Sequence, residues 1–358
     1  MNTYGLSTAL AGALVLCVPF AGTALADNFT LRVGAGHPSA PTIYVNLIEQ
    51  FFVPEVRRRV AEETEHEVTF IEGYGGALVG VSDTLEAVES GLLDIGGYCV
   101  CLEPSKLYLH NFPYYAPFGP TDGEAAIAAA RATYDAVPWL QEAFDRDYGQ
   151  VLLGLSGFDN YHIGTVEPWD TLADLKGVKI SGAGPNLPWL QYAQAVPIQS
   201  ALTDAYMSMQ TGVYDGWLVF PSAYLAYRLY EPAPYYTLVD FGAMATAVLT
   251  MNARSLARLP EDVQAIIREV GREYEQRSGV IMNERQAAAL AGLEAAGATV
   301  RTLPEQTRID WANALADLPR QSATDANGRG MPGTEVLQTY IAQAAEGGHH
   351  WIVDYSLD

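Results

Sequence analysis

Short apolar blocks alternate with amphipathic ones along this chain, a pattern that predicts an α/β fold. Stretches with helical spacing stand between the strand-like blocks. One of them, residues 42–63, carries an apolar stripe and a kink predicted at Pro54. Strands are predicted at residues 29–34, 67–71, 93–99, 150–155, 178–181, 245–251 and 299–303, with a further one beginning at Trp217.

The stretch 174–217 holds two successive strand–loop–helix units. Its glycine loop runs into a helix opened by Pro185, and a second helix at 203–210 ends before Gly212. In sheets of this type, ligands bind beyond the carboxyl ends of the strands. The loops of this stretch are therefore expected to face a ligand.

A helical pattern runs without a break through residues 260–296. A chain of 358 residues is expected to form two lobes. At 1.5 Å per residue the helix would be about 50 Å long, which is longer than one lobe is wide. No strict heptad supports the alternative of a coiled-coil arm. The helix is expected to lie along two lobes, and strands 150–155 and 245–251 are expected to cross between them as a hinge. The predicted fold is a two-lobed α/β clamshell. Its lobes are assigned to residues 27–153 plus 243–285 and to residues 154–242 plus 286–358.

Residues 1–26 carry no charge and end in Ala24-Leu25-Ala26, which fits a secretory signal peptide cleaved before Asp27. A transmembrane anchor is the alternative, but the apolar run 9–18 is too short to span a bilayer. The mature chain is therefore expected to be exported.

The formal net charge is −22, from 42 acidic and 20 basic residues. Such a surface repels nucleic acid and anionic lipid, so no nucleic-acid partner is expected. An acidic, lysine-poor surface also suits a protein that works in high salt. The overall charge is therefore poor evidence about the ligand.

Two cysteines remain after signal cleavage, Cys99 and Cys101. If both lay on one strand, their side chains would share a face, and a bridge between them would be strained. The favoured interpretation is two small buried residues at a strand end. A redox pair is the alternative.

Five segments in order along the chain resemble the solute-binding subunit of tripartite ATP-independent periplasmic (TRAP) transporters. They read LVGVSDTLEAVESGLLDIG (78–96), NFPYYAPFG (111–119), DLKGVKI (174–180), DAYMSMQTGVYDG (204–216) and LPEDVQ (259–264). The resemblance covers essentially the whole mature chain. It implies a two-lobed α/β fold of the periplasmic binding protein type, with the long helix behind both lobes. It further implies a periplasmic protein that captures a small solute and delivers it to the membrane subunits of a TRAP permease.

One position departs from the family in a way that matters for function. Members that carry organic acids usually have an arginine directly after the K-I of DLKGVKI, where it makes a two-pronged salt bridge to the ligand carboxylate. Ser181 stands there in this chain. Charged hydrogen bonds contribute about 1.5–3 kcal/mol each, whereas serine offers one weak donor and no charge. The family's usual Asn-Pro after Asp-Gly is also missing, since residues 217–222 read WLVFPS. The expectation of an acid ligand therefore does not carry over.

Acidic and aromatic residues lie at the predicted strand ends, and the acid-binding arginine is absent. Such residues are expected to form a cage for a small cation. Aromatic faces attract ammonium groups by roughly 0.5–2 kcal/mol, and a carboxylate supplies the opposite charge. The predicted ligand is a small amine or amino alcohol, ethanolamine-like or choline-like. The candidate ligand-binding residues are Tyr98, Glu103, Phe158, Asp159, Tyr161, Ser181, Asn186, Trp217 and Phe220.

Each candidate also has a plainer structural interpretation. Trp217 and Phe220 suit core packing, Asp159 and Glu103 suit a capping or solvated carboxylate, and the tyrosines suit hinge hydrogen bonds. Free backbone N–H groups at 182–186 could instead hold a small organic acid, and a polyol also stays open. Arg146 and Arg228 are candidates for a relocated acid anchor.

No catalytic constellation, metal site or cofactor site is predicted. The chain has no HExxH, GxSxG, CxxC or Walker motif. The pair His349-His350 is expected to be exposed, with at most adventitious metal binding. A solute-binding protein is therefore favoured over a secreted hydrolase. A sensor that docks on a membrane receptor would use the same fold.

Overall fold

A computed structural model describes residues 1, 3 and 28–357, which form two lobes built on separate β-sheets. The predicted signal peptide lies almost wholly outside these residues. In chain order the strands are β1 (Asn28–Gly34), β2 (Glu67–Gly73), β3 (Ile95–Cys99), β4 (Gln150–Phe158), β5 (His162–Thr165), β6 (Lys179–Gly182), β7 (Val196–Gln199), β8 (Gly216–Val219), β9 (Tyr235–Leu238), β10 (Met244–Asn252) and β11 (Thr299–Thr302).

The first lobe contains the sheet with strand order β2-β1-β3-β10-β4. Strand β1 runs parallel to β2 and β3, whereas β10 is antiparallel to both β3 and β4. Every residue of β10 is buried, because this central strand is covered on both faces.

The second lobe contains the sheet with strand order β11-β9-β5-β8-β6-β7. Strands β6, β7 and β8 are parallel, and β5 is antiparallel to β8 and β9. Strands β5 and β9, of four residues each, are absent from the predicted set.

The α-helices cover both sheets. Their bounds are Ile43–Leu47, Val53–Glu63, Thr84–Ser90, Phe112–Tyr115, Gly123–Ala136, Trp139–Tyr148, Leu187–Tyr192, Ala205–Gln210, Pro221–Ala226, Ala253–Ala257, Glu261–Ala295, Glu305–Ala314, Leu318–Gly328 and Gly333–Glu346. A π-helical turn, Ile48–Phe52, joins the first two without a gap and ends two residues before Pro54, which lies in the first turn of the second helix. Short 3₁₀ turns lie at Val100–Leu102, Leu109–Asn111, Leu172–Leu175, Gly184–Asn186 and Leu202–Asp204.

Two helices begin directly after an aspartate, and only one of these aspartates caps its helix. The side chain of Asp83, before helix Thr84–Ser90, makes no capping bond. Asp122 caps helix Gly123–Ala136 by accepting from the Ala125 N–H.

The long helix, Glu261–Ala295, spans both lobes as predicted. Its 35 residues extend about 50 Å. It packs on β4 and helix Gly123–Ala136 of the first lobe and on helix Pro221–Ala226 and β11 of the second. Gly271 allows its closest approach to β4, since a Cβ there would lie 2.6 Å from the Leu153 carbonyl oxygen.

Two chain segments cross between the lobes beside that helix, at residues 158–162 and 239–244. Their backbones pair, with the Tyr161 N–H donating to the Gly242 carbonyl (3.1 Å) and the Phe241 N–H to the Tyr161 carbonyl (3.2 Å). The side chain of Asn160 strengthens the link by donating to Asp240 Oδ1 (2.8 Å) and accepting from the Gly242 N–H (2.9 Å). Paired crossings of this kind form the hinge of a clamshell.

The lobe boundaries given above stay a prediction. The structure does show β4 continuing to Phe158 in the first sheet and β11 lying in the second. It also packs the carboxyl-terminal helix Gly333–Glu346 on Gly123–Ala136.

Cys99 and Cys101 form a disulfide, which corrects the expectation of two unpaired residues. Strand β3 ends at Cys99, and the chain turns into the 3₁₀ segment Val100–Leu102. The turn brings the two Cα atoms to 5.1 Å, within the usual range for a disulfide. The prediction failed because it placed both cysteines on one extended strand.

Candidate functional site

A cavity of about 50 Å³ lies between the lobes, where the first crossing segment begins. Its walls come from both lobes, whereas the cavities beside Trp169 and beside Ala125 are each lined from one lobe. The first lobe contributes the loop and helix start at 37–43, and Phe158 ends β4 beside them. The lining residues are His37, Pro41, Thr42, Ile43, Phe158, Leu202, Phe220, Ala223 and Tyr227.

Phe158 and Phe220, both predicted ligand residues, form the aromatic wall of this cavity. Their rings are stacked, with centroids 4.9 Å apart and planes 21° apart. Tyr44 meets Phe158 edge-on at 6.2 Å, and Tyr161 meets Phe220 edge-on at 5.3 Å. These contacts hold the two rings in fixed orientations at the cavity wall.

His37 is a wall residue that the sequence did not suggest. Its Nδ1 lies 2.7 Å from the Tyr44 hydroxyl. Burial lowers the pKa of His37, so the imidazole is neutral at pH 7. It follows the motif G-A-G-H-P directly after β1, and this strand-end position was the available signal.

Asp159 is buried just behind the wall and holds a helix in place. Its two carboxylate oxygens accept from the Ser222 N–H (3.0 Å) and the Ser222 hydroxyl (2.7 Å). Ser222 lies in the first turn of helix Pro221–Ala226, between Phe220 and Ala223 of the cavity wall. Burial raises the pKa of Asp159 to about 6, although Ser222 and the Arg285 guanidinium oppose that rise. The carboxylate therefore influences the cavity in two ways. It holds helix Pro221–Ala226 in position, and it places a negative charge behind the cavity wall.

Ser181 and Trp217 lie side by side on neighbouring strands of the second sheet. The Ser181 hydroxyl donates to the Ile198 carbonyl (2.8 Å), so its one donor is used within the sheet. Trp217 is 2 % exposed and packs edge-on against Tyr214 in the core of the second lobe. Neither residue lines the cavity.

Tyr98 and Glu103 also lie away from the cavity wall. The Tyr98 hydroxyl donates to Gln150 Oε1 (2.9 Å) inside the first lobe. Glu103 follows the turn Val100–Leu102 and lies 3.5 Å from the Lys106 ammonium. Burial, with Asp83 nearby, raises the pKa of Glu103.

Tyr161 and Asn186 lie at contacts between the two lobes. The Tyr161 hydroxyl is 2.9 Å from that of Tyr114, in helix Phe112–Tyr115. Asn186 ends the turn Gly184–Asn186, which packs against the same helix. It is fully buried, and neither atom of its amide has a hydrogen-bond partner in the described chain.

The arginines proposed as relocated acid anchors lie elsewhere. Arg146 pairs with Asp147 and Arg228 with Glu231, and both side chains are at least half exposed. Arg285 of the long helix is the cation near the cavity. It donates to Asn46 Oδ1 (2.7 Å) and to the carbonyl of Ala40, next to Pro41 of the wall. Arg285 could not be found from the sequence, because the sequence does not show which turn of the 35-residue helix faces the cleft.

A larger cavity, about 180 Å³, lies outside the cleft in the second lobe. It is lined by Trp169, Leu175, Val178 and three acidic residues, all from one lobe. A cavity without a wall from the other lobe cannot close on a ligand by hinge motion. The smaller cavity between the lobes is therefore the candidate site.

No group of three or more histidine, cysteine, aspartate or glutamate side chains within residues 28–357 is arranged to hold a metal ion.

The predicted exposure of the histidine pair is wrong for His349. Its Nε2 donates to the Phe118 carbonyl (2.9 Å), and its ring packs on Trp351. Nor does any helix among the described residues have the length and apolarity to cross a membrane.

Residues 53–325 match the family model described as bacterial extracellular solute-binding protein, family 7. A solute-binding protein of Sulfitobacter sp. (strain NAS-14.1) is 24 % identical over 276 residues, which cover 74 % of this chain and 78 % of that protein.

Solved structures with the same fold are TRAP solute-binding proteins. The protein from Desulfovibrio salexigens, in an open form, has a TM-score of 0.77 at 22 % identity, covering 90 % of this chain and 98 % of that one. The protein from Rhodoferax ferrireducens, with copurified benzoate, has a TM-score of 0.78 at 21 % identity, covering 89 % and 98 %. The Sulfitobacter protein with bound β-D-galacturonate has a TM-score of 0.70 at 20 % identity, covering 87 % and 99 %. At these identities the likeness concerns the fold.

Proposed function

Since the chain belongs to family 7 of the bacterial extracellular solute-binding proteins, we propose that it binds a small solute in the cavity between its lobes. It then delivers that solute to the membrane subunits of a TRAP permease. The observation that carries the proposal is the cavity itself, whose walls come from both lobes beside a two-strand hinge. Closure of the lobes would enclose a ligand there, and opening would release it.

Three features support a small amine or amino alcohol as the solute. Ser181 replaces the arginine expected of acid-binding members, and its hydroxyl is engaged by Ile198. The rings of Phe158 and Phe220 line the cavity, and an aromatic ring attracts an ammonium group by roughly 0.5–2 kcal/mol. The carboxylate of Asp159 lies directly behind, and its negative charge favours a cation in the cavity.

A small organic acid is the second candidate, because Arg285 is a cation near the cavity. Its guanidinium is partly buried, and no carboxylate of the described chain lies within ion-pairing distance. Its hydrogen bonds go to a carbonyl and an amide, and the carboxylate that acts on its charge is that of the buried Asp159, beyond ion-pairing distance. The structural relatives with benzoate and galacturonate also favour this candidate.

Thermal-shift and calorimetric titrations separate the two candidates. The probes are ethanolamine and choline as amines, and benzoate, galacturonate and pyroglutamate as acids. We expect ethanolamine to raise the melting temperature and the acids to leave it unchanged. Stabilisation by acids alone would reject the amine and favour the site at Arg285, in which case Arg285→Gln should abolish the shift.

Two controls complete this experiment. Arg146→Gln removes an exposed cation far from the cavity and should not alter any titration. Ligand recovered chemically unchanged after incubation supports a binding protein, whereas its conversion would support the secreted hydrolase.

A further inference from the structure

His37 and Tyr44 form a hydrogen-bonded pair at the wall of the cavity between the lobes. His37 lines the cavity, and its Nδ1 lies 2.7 Å from the Tyr44 hydroxyl. Tyr44 is 1 % exposed, and its ring meets that of Phe158 edge-on with 6.2 Å between centroids, which joins the pair to the aromatic wall. Gly97 of β3 leaves room for the tyrosine, since a Cβ there would lie 3.3 Å from Tyr44 Cδ2. The fold therefore holds the pair in one arrangement.

The hydrogen bond of this pair determines which nitrogen of His37 carries a hydrogen. Burial lowers the pKa of His37, so the neutral imidazole has one N–H at pH 7. The Tyr44 hydroxyl has no other hydrogen-bond partner in the described chain, and a buried hydroxyl that does not donate is costly. Tyr44 therefore donates to His37 Nδ1. The N–H of the imidazole is then at Nε2, because the partner of one ring nitrogen sets the protonation of the other.

Nε2 is the nitrogen of His37 that a solute can reach. It has no hydrogen-bond partner in the described chain, yet it is not sealed from solvent, and the surface that His37 lines is that of the cavity. Two hydroxyl side chains, Thr42 and Tyr227, also line the cavity. A hydroxyl rotates and can either donate or accept. His37 is therefore the lining residue whose role is fixed, and that role is to donate.

We propose that the Nε2–H of His37 selects solutes that carry an oxygen acceptor, and that Tyr44 positions His37 for this role. A hydroxyl oxygen accepts the hydrogen bond, whereas an alkyl group in the same place leaves the donor unpaired when the lobes close. An ammonium group cannot accept, so it lies against the rings of Phe158 and Phe220 while the hydroxyl of the same solute lies at His37. This inference rests on the proposed solute-binding function and narrows its ligand class from amines in general to amino alcohols.

The first test measures the tautomer of His37 without any ligand. Nitrogen NMR of the isotope-labelled protein at pH 7 should show a protonated Nε2 and an unprotonated Nδ1, and His37→Gln identifies these signals by removing them. Tyr44→Phe takes away the partner of Nδ1 and should shift both signals. The control is His110, whose Nδ1 lies 2.8 Å from the hydroxyl of the buried Tyr134, because its signals should not move in Tyr44→Phe. A protonated Nδ1 in wild type overturns the proposal.

The second test measures recognition by calorimetry with ethanolamine and propylamine, which differ by a hydroxyl in place of a methyl group. Wild type should prefer ethanolamine by about 5- to 100-fold. The double variant His37→Leu/Tyr44→Phe removes both partners of the hydrogen bond, which disturbs the fold less than removing one. It should bind the two amines within about twofold of each other. His350→Leu, at an exposed histidine, should keep the wild-type preference.

The outcomes separate this inference from the proposed function. Equal affinity of wild type for the two amines, or a preference that the double variant retains, overturns the role of His37 and leaves amine binding in place. If wild type binds benzoate or galacturonate and neither amine, the amine assignment fails on its own. A carboxylate also brings oxygen acceptors. The role of His37 then stands if the double variant loses at least about fivefold in acid affinity, and is overturned if it does not. Binding of neither class rejects the proposed solutes and this inference together.

Discussion

The ring of Phe158, at the end of the last strand before the first crossing, lies stacked on the ring of Phe220, with centroids 4.9 Å apart. Phe158 belongs to a strand of the first sheet, and Phe220 directly follows a strand of the second. The pair therefore joins the two lobes at the cavity wall. Any motion that opens the cleft there must separate or slide these rings.

Phe220→Leu should weaken ethanolamine binding about 2- to 30-fold, because it removes an aromatic face worth roughly 0.5–2 kcal/mol to an ammonium group. Isothermal titration calorimetry measures the change. Phe29→Leu is the matched control, since Phe29 packs against His66 at the far end of β1. Equal affinities for wild type and Phe220→Leu would show that the ring does not contact the ligand.

Asp159→Asn should remove a pH-dependent loss of stability. An unfolded aspartate ionises near pH 4, whereas burial raises the pKa of Asp159 to about 6 in the folded chain. Between these values the folded state keeps a proton that the unfolded state has lost. Asp159 therefore contributes less stability as the pH rises from about 4 to about 6, by on the order of 2–3 kcal/mol.

Urea unfolding at pH 4, 5, 6 and 7 checks this expectation. Asparagine can still accept from the Ser222 N–H and donate to its hydroxyl, so Asp159→Asn should gain stability relative to wild type over that range. Asp325→Asn, at an exposed position, should differ from wild type by a constant amount. A constant difference for Asp159→Asn as well would contradict the raised pKa.

Ser181→Ala should cost about 1 kcal/mol of stability and leave solute affinity within about twofold of wild type. The physical reason is that the hydroxyl donates to the Ile198 carbonyl and does not line the cavity. Urea unfolding and calorimetry on the same samples separate the two effects, with the exposed Ser105→Ala as control. A tenfold loss of affinity would instead assign Ser181 to the ligand.

Asn160→Ala should destabilise the protein by about 2–4 kcal/mol, because it removes two hydrogen bonds that tie the crossing segments together. Urea unfolding measures the loss. Asn313→Ala is the control, since the exposed Asn313 Nδ2 bonds only the Ile309 carbonyl within helix Glu305–Ala314. If both variants lose the same stability, the hinge bonds contribute no more than a surface contact.

Local pattern was enough to predict most of the framework. The helix predicted at 260–296 is found at Glu261–Ala295, and the strand predicted at 245–251 is found at Met244–Asn252. Both are long and strongly patterned, so burial and periodicity agree over many residues. The motifs around Ser181 also indicated the family, which the match over residues 53–325 bears out.

The members of the site depended on contacts that sequence spacing does not contain. Strand ends suggested nine residues, but the structure lines the cavity with only Phe158 and Phe220 of that set. His37, Tyr227 and Arg285 come from segments distant in sequence and meet near the cleft only after both lobes have folded.

Ser181 shows most clearly what the sequence determines and what the tertiary structure determines. The sequence by itself determined that the acid-binding arginine is absent from the strand of DLKGVKI. Only the tertiary structure decided that the serine hydroxyl donates to the Ile198 carbonyl of the neighbouring strand. The reason is physical. A residue's identity fixes the hydrogen bonds it can make, whereas the partners within reach are fixed by packing between segments far apart in the chain.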